Sequence, residues 1–355
     1  MEGSPLKIVV LAGGLSPERN VSLSSGTKIA QALRGLGHTV ALVDMYFGLE
    51  DYPGFAPEDL YGAPTPERWQ RVDRAAPDLA AVKAARQWEG KGDFGPGALD
   101  LCRGADIVFL ALHGQCGEDG RVQAAFDLMG IPYTGSGYLA SAIAMDKDLT
   151  KRLVGHLVDT PQWQFADYTE KEVDSLTSRT PVPCVVKPVD SGSSIGVSIA
   201  EDKKALRSAL LEGLKYGGRC VLERYVKGRE IQVGILDGKA LPAIEIIPHE
   251  GFYDYENKYQ PGAAEEVCPA PLTPGQAADV AKRAEAVYAA LGLGVYSRAD
   301  FILDETGKFW FLEINTLPGM TPTSLLPQEA AAAGMDYPRL CQRIIDLSLR
   351  EQRKN

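Results

Sequence analysis

Residues 296–315, "YSRADFILDETGKFWFLEIN", form two strand-like runs separated by a short polar turn. Apolar and polar residues alternate in both runs, which is the period-two pattern of half-buried β-strands. With residues 304–307 as the loop, antiparallel pairing sets 303 opposite 308, 300 opposite 311 and 298 opposite 313. The stretch therefore predicts a β-hairpin near the end of the chain.

The predicted hairpin has one apolar face and one polar face. The core face would carry Ala299, Phe301, Leu303, Trp310, Leu312 and Ile314, and the other face would carry Arg298, Asp300, Glu313 and Asn315. Two carboxylates across a hairpin repel each other unless a cation joins them. Mg²⁺ takes oxygen ligands and leaves its remaining positions to substrate phosphates. The polar face is therefore a candidate magnesium site, and the alternative is a solvated face with an Arg–Glu surface pair.

Two further loops have the composition of anion-binding segments. In "VVKPVDSGSSIGVSIA" (185–200), Lys187 and a small-residue loop lie between two strand-like runs. Gly and Ser let successive backbone amides converge on an anion, although the spacing is not that of a P-loop. "NTLPGMTPTSLLP" (315–327) is broken by Gly and Pro and leads into a helix capped by Thr323 or Ser324. Free amides at such a helix start suit a carboxylate or an oxyanion.

The N-terminal part alternates strand-like and helix-like segments. "KIVVLAGG" (7–14) predicts a strand, followed by a helix that Ser22 or a nearby serine caps and that ends at Gly35 or Gly37. Residues 46–98 are irregular and predict an insertion. The alternation indicates a doubly wound parallel sheet. The same strand–helix order could also belong to a dinucleotide-binding domain with Asp44 at the end of the second strand. However, "GGLSPE" lacks the G-x-G-x-x-G spacing of such domains, which disfavours this interpretation.

Composition limits the function classes. The 355 residues are enough for two or three domains, and a net charge of −10 argues against nucleic acid as a partner. The six cysteines are scattered without a C-x-x-C pair, which favours reduced thiols. We find no long apolar run and no signal-peptide pattern, so we expect a cytoplasmic protein without a membrane partner.

Eight ordered motifs across nearly the whole chain resemble the ATP-grasp ligases, and within them the D-alanine–D-alanine ligases. The motifs are "SPERNVSLSSG", "HGQCGEDG", "YTGSG" with "AMDK", "KPVDSGSSIGVS", "GREIQVGIL", "FYDYENKY", "SRADF" and "LEINTLPGMTPTSLLP". The resemblance implies an α/β fold of ATP-grasp type: an N-terminal doubly wound parallel sheet and two α+β domains that sandwich ATP. We expect these domains at 1–137 (with the insertion at 46–98), 138–222 and 223–355.

The resemblance also implies the ATP and metal ligands. The loop at 190–196 would cover the phosphates. The ATP-binding residues would be Lys147, Lys187, Ser194, Glu223, Arg224, Tyr225, Val226 and Glu230. The ligands of two Mg²⁺ ions, with Mn²⁺ as an alternative, would be Asp300, Glu313 and Asn315.

The reaction implied by the resemblance is the joining of two D-alanines through a D-alanyl phosphate, which supplies a peptidoglycan precursor. The residues implied for the first substrate are Glu18, hydrogen-bonded with Ser193 and Tyr259, and His113 nearby. Arg298 and the Gly319 amide would stabilise the oxyanion. The residues implied for the second substrate are Lys258 and Ser324 at its carboxylate and Tyr253 and Leu325 at its side chain. We also expect a homodimer.

Four alternatives to this interpretation arise. The first is a D-alanine–D-serine ligase, which Tyr253 and Leu325 disfavour because they suggest an apolar second subsite. The second is a D-lactate ligase, which "NKYQ" at 257–260 disfavours. The third is a catalytically silent nucleotide-binding protein, and the fourth is a dinucleotide-dependent oxidoreductase.

Overall fold

The computed structural model describes residues 4–70, 77–115, 117–192, 194–249 and 264–352. Its strands are β1 (Lys7–Ala12), β2 (Thr39–Asp44), β3 (Ile107–Leu110), β4 (Trp163–Asp167), β5 (Cys184–Pro188), β6 (Ser198–Ala200), β7 (Arg219–Arg224), β8 (Gly228–Leu236), β9 (Lys239–Ala240), β10 (Ile244–Pro248), β11 (Ala264–Val267), β12 (Tyr296–Asp304) and β13 (Phe309–Asn315).

Its α-helices are α1 (Arg19–Gly35), α2 (Leu79–Ala85), α3 (Ala98–Arg103), α4 (Arg121–Met129), α5 (Tyr138–Met145), α6 (Lys147–Val154), α7 (Val173–Arg179), α8 (Lys203–Gly213), α9 (Pro274–Ala290), α10 (Leu325–Ala332) and α11 (Tyr337–Gln352). Short 3₁₀ turns span Gly48–Asp51, Pro57–Tyr61, Glu67–Gln70, Glu170–Glu172 and Leu214–Tyr216. No helix within the described ranges is long and apolar enough to span a membrane.

The N-terminal sheet is parallel, in the order β2-β1-β3. Its strands are apolar and almost wholly buried, as a parallel sheet covered on both faces requires. Helix α1 packs closely on it at Gly26, where a Cβ would lie 2.7 Å from the Cβ of Ala12. The parallel α/β arrangement predicted for this part of the chain is confirmed.

Two antiparallel sheets follow. One has the order β4-β7-β5-β6, and the other has the order β11-β10-β8-β12-β13 with β9 paired to β8. Strand β7 runs across the division predicted at 222/223, since Arg219–Arg224 pairs along its length with β4 and β5. Helix α11 returns to the N-terminal part, where its Leu340, Ile344 and Leu347 join the core under β1 and β3.

One local prediction needs correction. Helix α1 begins at Arg19, so Ser22 is not its cap; the Ser22 hydroxyl instead accepts from the Gly13 N–H and donates to the Ala111 carbonyl, both at 2.7 Å. Helices α5 and α6 are separate because the Asp146 side chain caps α6. In the predicted insertion at 46–98, Tyr52, Leu60 and Trp69 are buried in the N-terminal core.

The hairpin β12–β13 contains one extra residue that the sequence pattern did not reveal. Phe301 pairs with Phe311, and Leu312 bulges out of the ladder beyond that pair. The alternation on β13 is therefore reversed near the turn, so Phe309 and Phe311 are buried in the core. The prediction that Trp310 and Leu312 lie on the core face is wrong; both are half-buried.

The polar face of the hairpin keeps its predicted members despite the changed register. Asp300 pairs with Glu313, and Arg298 pairs with Asn315. Each pairing is shifted by two residues from the prediction, and a shift of two leaves a side chain on the same face of a strand. The four polar side chains therefore share one face.

Candidate functional site

A cavity of about 380 Å³ lies between the two antiparallel sheets. One wall comes from β5, β6 and β7, and the other comes from β8, β10, β12 and β13. All eight residues predicted to bind ATP line this cavity, together with two of the three predicted metal ligands: Lys147, Lys187, Ser194, Glu223, Arg224, Tyr225, Val226, Glu230, Asp300 and Glu313. These residues span more than 160 positions of the chain, and the fold brings them to one space.

Apolar side chains from both sheets face each other across the cavity. Val185 and Ile199 contribute to the wall from the smaller sheet, and Ile246, Ile302 and Leu312 contribute to the other. The bulge explains why Leu312 points here rather than into the core. A flat slot between two apolar walls, with backbone from 223–226 along its edge, suits a planar heterocyclic ring whose polar edge needs hydrogen bonds.

A buried group of three charges lies at one side of the cavity. The carboxylate of Glu223 lies 2.7 Å from Lys187 Nζ and 2.9 Å from Lys151 Nζ. Burial by itself would raise the pKa of Glu223, but the two lysines outweigh it and hold that pKa below its usual value. Burial lowers the pKa of Lys151, whereas Glu223 and Glu313 overcome burial and raise the pKa of Lys187. Of these three groups, Lys187 and Glu223 line the cavity, whereas Lys151 lies behind them in the core.

Lys151 was not among the residues predicted for the site. It is 0% exposed and lies one helical turn after Lys147 on α6. The available signal was this spacing of four residues, which places two lysines on one helix face.

The polar face of the hairpin balances its charges with side chains in this structure. Arg298 donates to both oxygens of Asp300 at 2.8 and 2.9 Å, and Lys147 Nζ lies 3.2 Å from Glu313. Asn315 Nδ2 donates to Asp300 at 3.3 Å, which leaves its amide oxygen as an acceptor. Two carboxylates and an amide oxygen are a donor set that fits a hard divalent cation. Within the described ranges, no group of three or more His, Cys, Asp or Glu residues could hold a metal by itself.

The small-residue loop after β5 reaches the N-terminal part of the molecule. Lys147 Nζ donates to the carbonyl of Ser191 at 2.6 Å, and Ser191 Oγ donates to the carbonyl of Ile195 at 2.9 Å. Ser194 has a positive φ of 58°, which few non-glycine residues adopt. A Cβ at Gly192 would lie 2.5 Å from Glu18 Oε2, so the loop backbone rests on that carboxylate. Ser193 lies outside the described residues.

Glu18 lies in a buried polar area with His113 and a second glutamate, Glu118. His113 Nδ1 donates to the Leu317 carbonyl at 2.9 Å. Burial lowers the pKa of His113, which favours the neutral imidazole, although Glu18 acts in the opposite direction. Glu118 accepts from the N–H groups of Gly114 at 2.9 Å and Leu317 at 3.2 Å. Burial, and secondly the charge of Glu18, raise the pKa of Glu118 to about 8.

The sequence reasoning missed Glu118. Glu118 belongs to the motif "HGQCGEDG", of which only His113 was predicted to lie near a substrate. The two hydrogen bonds of Glu118 connect the loop after β3 to the loop after β13, and so join the surroundings of the predicted first and second substrates.

The start of α10 forms a small polar corner next to Gly319. Ser324 Oγ accepts from the Thr321 N–H at 3.0 Å, and a Cβ at Gly319 would lie 3.0 Å from that same oxygen. Leu325 is buried against Ile244 and Ile246. This corner thus places one hydroxyl beside an apolar side chain, and both belong to residues predicted to contact the second substrate. Tyr253, Lys258 and Tyr259 lie outside the described residues.

Asp44 does not have the environment that the dinucleotide interpretation requires. It is 0% exposed and forms a buried ion pair with Arg19. It also accepts from the Tyr46 N–H at 2.8 Å. Its oxygens are occupied inside the N-terminal core and cannot receive a ribose.

Two family models match the chain. One is described as D-ala D-ala ligase N-terminus and matches residues 7–136, and the other as D-ala D-ala ligase C-terminus and matches residues 157–346. A D-alanine–D-alanine ligase of Pediococcus pentosaceus is 41% identical over 341 residues, which cover 96% of this chain and 97% of the relative. One of Gloeobacter violaceus is 42% identical over 352 residues, covering 97% and 100%.

Solved structures agree with these sequence relatives. The D-alanine–D-alanine ligase of Bacillus anthracis complexed with ATP has a TM-score of 0.71 and 31% identity, and the comparison covers 99% of each chain. The Coxiella burnetii ligase, at 24% identity with a TM-score of 0.74 over 99% of this chain and 96% of that one, shows a common fold. The predicted ATP-grasp fold is thereby confirmed. These relatives do not favour the D-serine alternative, and the chain belongs to the D-alanine–D-alanine ligase family.

Proposed function

We propose that this protein uses ATP to join two molecules of D-alanine into D-alanyl-D-alanine, a building block of peptidoglycan. The observation that carries the proposal is the cavity between the antiparallel sheets, where all eight candidate ATP residues meet two candidate metal ligands. Membership of the ligase family and the ATP-bound relative support the same assignment.

ATP would lie with its adenine between the apolar walls of the cavity and its phosphates toward Lys147 and Lys187. The backbone of 223–226 would read the polar edge of the adenine, and Glu230 would accept from the ribose hydroxyls. Backbone amides near Ser194 would cover the phosphates, because small residues allow the loop to approach an anion closely. The two lysines would neutralise phosphate charge from within the site.

Asp300, Glu313 and Asn315 would hold one or two Mg²⁺ ions, with Mn²⁺ as an alternative. The metal, when bound, would neutralise charge on the phosphoryl group in transfer. The ion pairs of Asp300 with Arg298 and of Glu313 with Lys147 hold both carboxylates at the wall of the cavity. Phosphoryl transfer depends mainly on such positioning and charge neutralisation.

The chemistry would proceed in two steps. The carboxylate of the first D-alanine attacks the γ-phosphorus of ATP, so that D-alanyl phosphate forms and ADP leaves. The amine of the second D-alanine then attacks the acyl carbon. The resulting tetrahedral species expels inorganic phosphate, and the nitrogen loses a proton. Arg298 and the Gly319 N–H would stabilise the oxyanion, because fixed donors in a buried site act most strongly on developing charge.

Glu18 would bind the ammonium group of the first D-alanine, with Ser193 and Tyr259 as its hydrogen-bond partners and His113 close by. The buried position of Glu18 against the Gly192 backbone supports this role, because the loop that covers the ATP phosphates would then also lie next to the first D-alanine. Ser324 and Lys258 would bind the carboxylate of the second D-alanine, whereas Leu325 and Tyr253 would contact its methyl group.

The test is a phosphate-release assay with ATP, Mg²⁺ and D-alanine, with the product identified by mass spectrometry. We expect phosphate release that requires both D-alanine and Mg²⁺, and a dipeptide of two D-alanines. ATP hydrolysis independent of D-alanine, or a product without the second D-alanine, would contradict the proposal.

We propose a homodimer located in the cytoplasm, in line with the ligase family. The three domains would be divided as expected from the sequence, except that the second division would follow β7 rather than cut it. Light scattering coupled to size-exclusion chromatography would measure the mass of the assembly, and a mass equal to one chain of 38.3 kDa would contradict the dimer.

A further inference from the structure

A buried carboxyl group joins helix α10 to strand β8. Glu329 Oε1 accepts from the backbone N–H of Gly234 at 2.7 Å, and Glu329 is 0% exposed. A Cβ at Gly234 would lie 2.6 Å from Glu329 Oε2 and 2.6 Å from Leu326 Cδ1. The absence of a side chain at 234 therefore lets the carboxyl group and the helix approach the strand.

Packing alone does not explain a glutamate at this position. Glu329 Oε2 is buried and has no hydrogen-bond partner among the described residues. A buried polar atom without a partner destabilises a fold. Burial also raises the pKa of Glu329 well above its usual value. A leucine of similar size would avoid both penalties but would leave the Gly234 N–H without its acceptor, so what the carboxyl group contributes here is the bond between α10 and β8.

The two ends of this contact lie at two parts of the proposed site. Gly234 pairs directly with Arg298 across β8 and β12. Leu325 and Glu329 are four residues apart on α10, which places them on the same helix face. Ser324 directly precedes that helix. Glu329 therefore connects the strand position opposite Arg298 to the helix turn that begins at Ser324 and Leu325.

We propose that Glu329 is a positioning residue that sets the distance between Arg298 and the corner formed by Ser324 and Leu325, and thereby controls binding of the second D-alanine. The inference rests on the proposed function. Arg298 would contact the reacting carbonyl, whereas the corner would hold the incoming amino acid. A change in their separation alters how the second substrate meets the acyl phosphate, and it leaves the ATP cavity unaffected.

The test compares Glu329→Gln with Glu329→Leu. The glutamine keeps an oxygen acceptor for the Gly234 N–H, so its kinetics should stay within about twofold of the wild type. The leucine loses the acceptor, and we expect the half-saturation concentration for the second D-alanine to rise about tenfold, the loss of roughly one hydrogen bond. The values for ATP and for the first D-alanine, fitted as a separate site on the saturation curve, should stay unchanged. Thermal unfolding of Glu329→Leu should stay close to that of the wild type, because removing the unpaired Oε2 offsets the loss of the acceptor for the Gly234 N–H.

Glu285→Leu is a matched control, because Glu285 on α9 also accepts a strand N–H, that of Ala240 at 3.1 Å, away from the site. Its kinetics should equal those of the wild type. Gly234→Ala is a second variant, because its Cβ would displace the carboxyl group while Glu329 itself stays unchanged. It should also raise the half-saturation concentration for the second D-alanine. Unchanged second-site binding in both Glu329→Leu and Gly234→Ala, or an equal rise for ATP, would overturn the inference. Activity of the wild type with D-alanine separates the two cases. If the wild type is active and the variants behave as the wild type does, only the role of Glu329 is overturned. If the wild type does not ligate D-alanine, the proposed function and the role of Glu329 are both overturned.

Discussion

Replacing Glu223 by Gln should destabilise the protein far more than replacing any exposed carboxylate. The carboxylate of Glu223 lies between Lys151 Nζ at 2.9 Å and Lys187 Nζ at 2.7 Å. Lys151 is 0% exposed and Lys187 is 9% exposed. The amide would leave two buried ammonium groups facing each other without the carboxylate that lies between them. Removing one partner of a buried ion pair typically costs about 3–5 kcal/mol, and we expect a loss in that range.

The pattern across variants tests the cause. Lys151→Met should cost less, roughly 1 kcal/mol, because Glu223 keeps Lys187 and a desolvated charge is removed. Adding Lys151→Met to Glu223→Gln should restore stability by about 1–3 kcal/mol, since it removes one of the two unpaired ammonium groups. Neighbouring charges of one network are not additive, so this recovery is the signature of the buried cluster.

Asp159 provides a matched control for that experiment. Its carboxylate also lies between two cations, Lys308 at 2.7 Å and Arg283 at 3.1 Å, but its side chain is 41% exposed. Water screens exposed pairs, so Asp159→Asn should cost below about 1 kcal/mol. The assay is urea unfolding of the ligand-free protein followed by circular dichroism. A loss for Glu223→Gln no larger than that for Asp159→Asn would refute the reasoning.

Three further predictions address the metal face, the effect of pH and the choice of substrate. Glu313→Gln should lower the ligation rate by orders of magnitude, because it removes a charge that Mg²⁺ needs. The free energy of unfolding should fall by less than for Glu223→Gln, because relief of repulsion from Asp300 partly offsets the lost ion pair with Lys147. Wild-type turnover would exclude Glu313 as a ligand. The pKa of Glu118 is raised to about 8, so the folded protein holds an extra proton that the unfolded chain releases above about pH 4.5. The contribution of Glu118 to stability should therefore be largest below about pH 4.5 and fall toward pH 8, by up to about 1.4 kcal/mol per pH unit. Glu118→Gln should flatten that part of the urea-unfolding profile, and an unchanged profile would contradict the raised pKa. With equal D-alanine and D-serine, D-alanyl-D-alanine should exceed the mixed dipeptide by about tenfold to a hundredfold, because the hydroxyl of D-serine would be unpaired beside Leu325. Mass spectrometry would count both products, and a pool dominated by D-alanyl-D-serine would reverse the assignment.

Local patterns carried the main features of the fold. Alternation of apolar and polar residues predicted β12 and β13, and glycine punctuation with helical spacing predicted the strand–helix order of the N-terminal sheet. These features depend on residues that are neighbours in the chain, so the sequence contains them directly. The shared face of Asp300 and Glu313 was also predictable, because side-chain direction repeats every two residues and survives a register shift of two.

The sequence by itself determined the order of the elements, the polar face of the hairpin and, through its motifs, the ligase family. The tertiary structure alone decided which groups became buried partners. The bulge at Leu312 depends on how β13 packs rather than on its own alternation. Glu118 meets the Leu317 N–H from 199 residues away, and Glu329 meets the Gly234 N–H from 95 residues away. In the sequence, a single glutamate is expected to be a solvated charge on the surface. Only the packing of distant parts of the chain around it removes its water and leaves a backbone N–H as its partner.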